Sequence, residues 1–228
     1  MNNSRILKEE CKWSRSLFAF MYAIFASQAS KESKDAKLAD SMREALMDVP
    51  RVKRHFGGKK AFHEKIVIEK AAVYVSHPEK MILPQLDLMY LWNLFIQASH
   101  NPPSLKKIKL MIEQELDLVK KEDNPDLFFY LTFMRGCAYS ACRYDAIATD
   151  SFLHVIASQD LIVNEKHLVP QACFEMGMVY RRAGDVDESK KWFRKTKKYS
   201  GYLTETMITF RIDCALKAYD DKDRKLST

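Results

Sequence analysis

The chain has 228 residues, 47% of them apolar and 29% charged, with only 6 glycines, 7 prolines and a formal net charge of +7. That length supports one sizeable domain or a short solenoid with a continuous core, and scarce punctuation with abundant Ala, Leu, Met and Lys favours helices throughout. Five scattered cysteines with no Cys-x-x-Cys pair read as reduced thiols in an intracellular, non-secreted protein.

At the N-terminus, Lys8, Glu9, Glu10 and Lys12 precede the first apolar run, which argues against a cleavable signal. That run, Leu17 to Ala26, has about ten residues where a bilayer span takes about twenty, so a buried helix is expected. Trp13, Leu17, Phe20, Met21, Ile24 and Phe25 recur at helical intervals and predict one helix from Ser4 to about Gln28, with a turn over Ser30–Lys34. A second helix is expected over Asp35–Met47, stopped by Pro50. The basic stretch Arg51 to Lys60 surrounds Gly57-Gly58 but lacks phosphate-loop spacing. Helices are then expected over Ala61–Val75, Leu83–Ser99 and Leu105–Lys121, the last capped by Ser104. Two hairpins follow, about Asp126–Ser158 and Lys166–Lys198. A last helix is predicted over Leu203–Tyr219, with a charged, frayed tail from Asp220. No stretch alternates with period two, so strands are not expected.

The hairpins carry the strongest pattern. Gly177, Tyr180, Gly184, Ser189 and Phe193 have the spacings of a tetratricopeptide-type helix–turn–helix unit. Gly177 permits close helix approach, Gly184 can close a helix C-terminus, and Asp185 or Asp187 can cap the return helix. Gly136, Tyr139, Ala148 and Phe152 repeat the pattern; the glycine, tyrosine and phenylalanine each recur 41 residues on. Since a standard unit has about 34 residues, an insertion is expected around Asp160–Lys166. The first unit is degenerate, with Arg135 at an apolar place and Arg143 at the turn glycine.

Further blocks extend the pattern. Lys12-Trp13-Ser14, Val49-Pro50-x-Val52-Lys53, Gly58-Lys59 and Glu64-Lys65 are followed by Leu86-x-x-Met89-Tyr90-Leu91-Trp92-Asn93 and Leu168-Val169-Pro170. Tyr199-x-Gly201-Tyr202 and Phe210-Arg211-Ile212 complete the set. With these the chain resembles the tetratricopeptide repeat protein 39 family, itself related to a fungal outer-membrane inclusion-clearance protein. The similarity runs from about Glu10 to Tyr219 and corresponds to the C-terminal part of longer members, as a short isoform, truncated paralogue or fragment would. Leu94 stands where the family usually has glycine. The resemblance implies a helical-repeat protein without known catalytic activity, linked to lipid homeostasis and protein quality control.

No catalytic or metal-ligating constellation emerges. The six histidines are scattered without metal spacing, and carboxylate pairs such as Glu113/Glu115 lie on polar faces. Nucleophile, kinase and dinucleotide motifs fail on spacing, so neither an enzyme nor a cofactor is expected. Projecting the usual inward positions gives a groove of Tyr130, Phe133, Met134 and Cys137 on one hairpin and Gln171, Phe174, Glu175, Met178, Arg181 and Arg182 on the other. Such an apolar, Met-containing groove suits a peptide or amphipathic helix; packing of the same residues against the helices from Ser4 to Lys121 is the competing reading. Two basic clusters stand apart: Arg51, Lys53, Arg54, Lys59 and Lys60, and Lys190, Lys191, Arg194, Lys195, Lys197 and Lys198. They read as solvated faces or as contacts for an acidic protein or anionic membrane, and lack the interleaved aromatics of a nucleic-acid reader.

The expected architecture is an all-α, TPR-like right-handed solenoid of about ten helices in antiparallel pairs. Residues 1–124 would pack on two hairpins and a capping helix at 125–220, ahead of a charged tail at 221–228. The expected function is a non-catalytic, cytoplasmic scaffold for a protein partner; the alternative is a peripheral adaptor on an organelle membrane or lipid droplet.

Overall fold

The computed structural model describes residues 2–11, 13–52 and 62–226. Among them are twelve α-helices, two short 3-10 turns and no strand, so the chain is all-α. It forms two compact units, Met1–Trp92 and Asn93–Thr228.

The first unit is built from α1 (Asn2–Glu10), α2 (Arg15–Ser33), α3 (Ala36–Asp48), α4 (Phe62–Ser76) and α5 (Gln85–Leu91). α2 is its axis, and α1, α3 and α4 pack on it. Ala19, Ala23 and Ala26 are fully buried, so small residues let neighbouring backbones approach while Phe20 and Ile24 fill the space beside them. The Phe20 ring stacks on Tyr74 with centroids 6.2 Å apart. The predicted single helix from Ser4 to Gln28 is in fact two. The chain leaves helical geometry between Glu10 and Arg15, Trp13 is 76% exposed, and Ser14 donates a buried 2.7 Å hydrogen bond to the Glu64 carboxylate on α4. Helix α2 also runs through the predicted turn to Ser33, closing on Lys34 at φ 56°. Asp35 caps α3 by accepting from the Lys37 amide at 2.9 Å. A second polar pin lies deeper: Lys70 pairs with Asp87 at 3.5 Å, and the Tyr74 hydroxyl donates to the same carboxylate.

The second unit holds α6 (Leu94–Ser99), α7 (Pro102–Leu118), α8 (Pro125–Ala141), α9 (Asp145–Ala157), α10 (Leu168–Ala183), α11 (Val186–Thr196) and α12 (Glu205–Leu226). The predicted helix Leu83–Ser99 breaks at Trp92-Asn93, where Asn93 takes φ 57°; asparagine tolerates this left-handed geometry better than other non-glycine residues. Helix α7 starts at Pro102 rather than after Ser104, because Asn101 is the cap and accepts from the Ser104 amide at 3.4 Å. Helix α12 extends to Leu226, beyond the predicted end at Tyr219.

The two hairpins, α8–α9 and α10–α11, are as predicted, and the same contact closes both. A methyl group placed on Gly136 would come within 2.5 Å of the Phe152 ring, and one on Gly177 within 2.5 Å of Phe193. Both rings are buried. Gly184 ends α10 at φ 85°, and Asp185 caps α11 by accepting from the Glu188 amide at 3.0 Å. In the first hairpin Arg143 occupies the glycine's place at φ 65°. Helix α10 also packs against α9 and α8, so each pair covers the face its neighbour leaves open.

Gly177→Ala is expected to cost about 1–3 kcal/mol by overpacking, and Phe193→Ala about 3–5 kcal/mol by opening a cavity. Combining Gly177→Ala with Phe193→Leu should cost less than those two changes made singly and added, which urea denaturation of the wild type, the two single variants and the double variant measures. Arg143→Gly should leave stability unchanged or raise it by up to about 1 kcal/mol, whereas Arg143→Val, a β-branched residue in left-handed geometry, should lower it by about 1–2 kcal/mol in the same assay.

Candidate functional site

The proposed groove residues divide into two groups. Phe133, Phe174, Met134 and Tyr130 are at most 6% exposed and have no surface to offer a partner. The reason is local: the Phe133 ring lies 5.9 Å from Phe152 and the Phe174 ring 5.8 Å from Phe193, so both turn toward their own return helix. Cys137 and Gln171 are buried as well. Glu175, Met178, Arg181 and Arg182 are half-buried and form an accessible strip along α10.

Helix α12 borders that strip. Gln171 donates to Thr204 at 2.8 Å near the start of α10, and Arg181 lies 5.5 Å from the Tyr219 ring near its end. These two contacts make α12 run alongside α10 in the same direction, as successive first helices do in a repeat stack. Tyr219 then donates to Ser189 at 3.0 Å, and Ser189 to the Gly177 carbonyl at 2.9 Å, which ties α12 to the second hairpin at its close contact. The Cys137 thiol reports the juxtaposition of three helices. Burial pushes its pKa well above the ordinary range, Glu175 of α10 raises it further, and Arg211 of α12 lowers it. Cys173 is likewise pushed up, to about 11, by burial. Neither thiol is a poised nucleophile.

A lattice of arginines joins the repeats. Arg182 donates to Ser140 at 2.6 Å and pairs with Asp145 at 3.1 Å, reaching from the second hairpin to the turn of the first. Arg135, at a place that is usually apolar, pairs with Glu113 of α7 at 2.8 Å and donates to Ser151 at 3.1 Å. Lys109 sits between the Tyr139 and Tyr144 rings, 4.9 and 5.1 Å from their centroids.

The surplus in the first hairpin repeat is a loop with a 3-10 turn at Gln159–Leu161. Asp126, in the first turn of α8, holds it. Its carboxylate accepts from the Val163 amide at 2.9 Å, the Asn164 amide at 3.1 Å and the Asn164 side chain at 2.6 Å. Sequence reading overlooked Asp126, and periodicity offers no signal for a contact 37 residues away. The same applies to Glu64 and Asp87 in the first unit.

In the first basic cluster Arg51 is exposed and 3.9 Å from Asp48; Lys53, Arg54, Lys59 and Lys60 lie outside the described residues. In the second, Lys191 bonds Glu188 and Lys197 bonds Asp213, both at 2.8 Å. Lys190 lies 5.7 Å from the Tyr219 ring and Lys195 4.8 Å from Trp192. Arg194 and Lys198 are exposed, with no acid at ion-pair distance among the described residues. Among those residues no group of three or more His, Cys, Asp and Glu could hold a metal ion, and no helix is long and apolar enough to cross a membrane.

The Iml2/Tetratricopeptide repeat protein 39 family matches this chain over residues 1–141. The chain belongs to that family. It is 22% identical over 215 residues to tetratricopeptide repeat protein ttc-39B of Caenorhabditis elegans, a match covering 94% of this chain and 37% of that protein. The chain thus spans little more than a third of that relative's length. No solved structure matches it. The family match includes α8 with Gly136, while the second hairpin lies beyond it, inside the longer alignment to the nematode protein.

Asp126→Ala should speed hydrogen exchange at the Val163 and Asn164 amides by about tenfold or more, since each loses its acceptor, while the amides of α10 keep wild-type rates. Unchanged exchange at 163 and 164 would show that other contacts order the loop.

Proposed function

We propose that this chain is a non-catalytic scaffold for a protein partner, with surface shape and charge as its working parts. What supports the reading is the repeated close contact of Gly136 on Phe152 and Gly177 on Phe193, which makes the paired helices a stiff platform without assembling reactive groups beside it. The strip of Glu175, Met178, Arg181 and Arg182, bordered by Arg211, is the inner face we assign to a peptide or helix. A methionine adapts its shape to apolar side chains, and the flanking charges set orientation. The lipid-homeostasis and quality-control roles implied by the family resemblance, in the cytoplasm or at the surface of an organelle, are the settings we propose for it.

The test is proximity labelling in cells with the wild-type chain and with Met178→Glu/Arg181→Glu, whose melting temperatures are first compared. A discrete set of proteins should lose labelling by more than about tenfold in the variant, as when a central contact of an interface is removed. Identical labelling by two equally folded proteins would exclude the strip as the partner site.

A further inference from the structure

Helix α11 carries a charge pattern that its packing does not use. Ser189, Phe193 and Thr196 are buried against the rest of the unit. Lys191 and Arg194 lie on the opposite, exposed face, and Lys198, two residues past the helix end in its closing turn, extends their line. Lys190, Lys195 and Lys197 flank it, each engaged by Tyr219, Trp192 or Asp213. Within the line, Lys191 has an exposed pair with Glu188, with Asp185 also close enough to favour its charge, interactions that solvent screening leaves weak. Arg194 and Lys198 have no acid at ion-pair distance among the described residues, and an anionic partner would supply one.

We propose that the exposed face of α11 docks an acidic helical segment of a partner protein, with carboxylates at the same spacing set against Lys191, Arg194 and Lys198. Charge complementarity and the straight line of cations favour that occupant over a bilayer. Membrane-surface helices add apolar or aromatic side chains that enter the interface. Here Phe193 is buried, Trp192 is half-buried with the Lys195 ammonium beside its ring, and Val186 is the one exposed large apolar side chain of α11. At the matching places 41 residues earlier, the return helix of the other hairpin carries Asp150, Leu153 and Ala157 rather than cations, so the charge is one helix wide. Asp187 continues the line one turn before Lys191, so a partner with a basic residue at the matching place docks in one orientation. The inference deepens the scaffold reading by naming a partner chemistry on a face separate from Met178.

The test is fluorescence anisotropy of the full chain with a labelled, alanine-based helical peptide bearing three glutamates at that spacing. The same peptide with glutamines, and phosphatidylcholine vesicles with and without phosphatidylserine, serve as comparisons. The glutamate peptide should bind, and binding should weaken as salt is raised. Lys191→Glu/Arg194→Glu/Lys198→Glu should raise its Kd by about tenfold or more, the combined effect of several exposed charge pairs. Lys106→Glu/Lys107→Glu/Lys120→Glu, with the same net-charge change, should raise it less than about threefold. Arg194→Ala/Lys198→Ala repeats the test should the triple reversal fail to fold. Met178→Glu should leave this binding unchanged, so the inner-strip reading and this one fail separately. Absent peptide binding, equal losses in the two triple variants, or phosphatidylserine-dependent sedimentation that requires α11 while the peptide stays unbound would each overturn the proposal.

Discussion

The structure depends on how closely two helices of a pair can approach. At Gly136 and again at Gly177 the first helix offers bare backbone, and a phenylalanine sixteen residues on packs against it. This contact sets the separation of the pair, and with it the tilt at which the next pair can stack. It also explains why Phe133 and Phe174 are withdrawn from the inner face. Each packs against the phenylalanine that the glycine admits, so these two phenylalanines of each hairpin form one buried pair.

The first hairpin departs from the repeat pattern, and its departures are compensated by charge. Arg135 has no apolar neighbour to fill but finds Glu113 and Ser151, so α7 is held to α8 and α9 by a part-buried ion pair where another repeat would use a methyl group. Arg143 accepts left-handed backbone that glycine would take without strain, and Asp145, which it pairs with, is shared with Arg182 of the second hairpin. The register between the two hairpins is therefore fixed by direction-dependent bonds, not by apolar packing alone. A guanidinium tolerates little sideways slip once its donors are committed.

How much was legible in the sequence follows from the range of each interaction. Helices within the hairpins, the capping of α11 by Asp185 and the glycine–phenylalanine pairing depend on residues at most sixteen apart, and spacing reveals them. The break before Arg15 does not: Ser14 leaves the helix to reach Glu64, fifty residues on. Asn93 breaks a segment whose apolar run continues on both sides of it, from Leu88 to Trp92 and from Leu94 to Ile96, because a single left-handed residue suffices and hydropathy does not register it. The insertion was visible as a surplus in the repeat length, yet its anchor, Asp126, looked like any first-turn aspartate. The inward projection of Phe133 and Phe174 fails for a related reason. Helical projection places a side chain on a face but does not tell which of two adjacent helices its χ angles turn it toward.

With those aromatics in the core, the surfaces we propose for recognition are a short strip on α10 and the charge on α11. The two proposed faces would call for different partners. Around Met178 the contact would be shape-led: one flexible apolar side chain between ionic neighbours, with part of its surface already covered, would gain from a partner that completes the burial. Along α11 nothing apolar is exposed beyond Val186 at the first turn, so association there would be led by long-range attraction, which speeds encounter more than it lengthens residence. If both proposed faces are occupied by one partner, its two segments are held at a separation set by Gly177 and Phe193, and the second binds at the high effective concentration that the first creates.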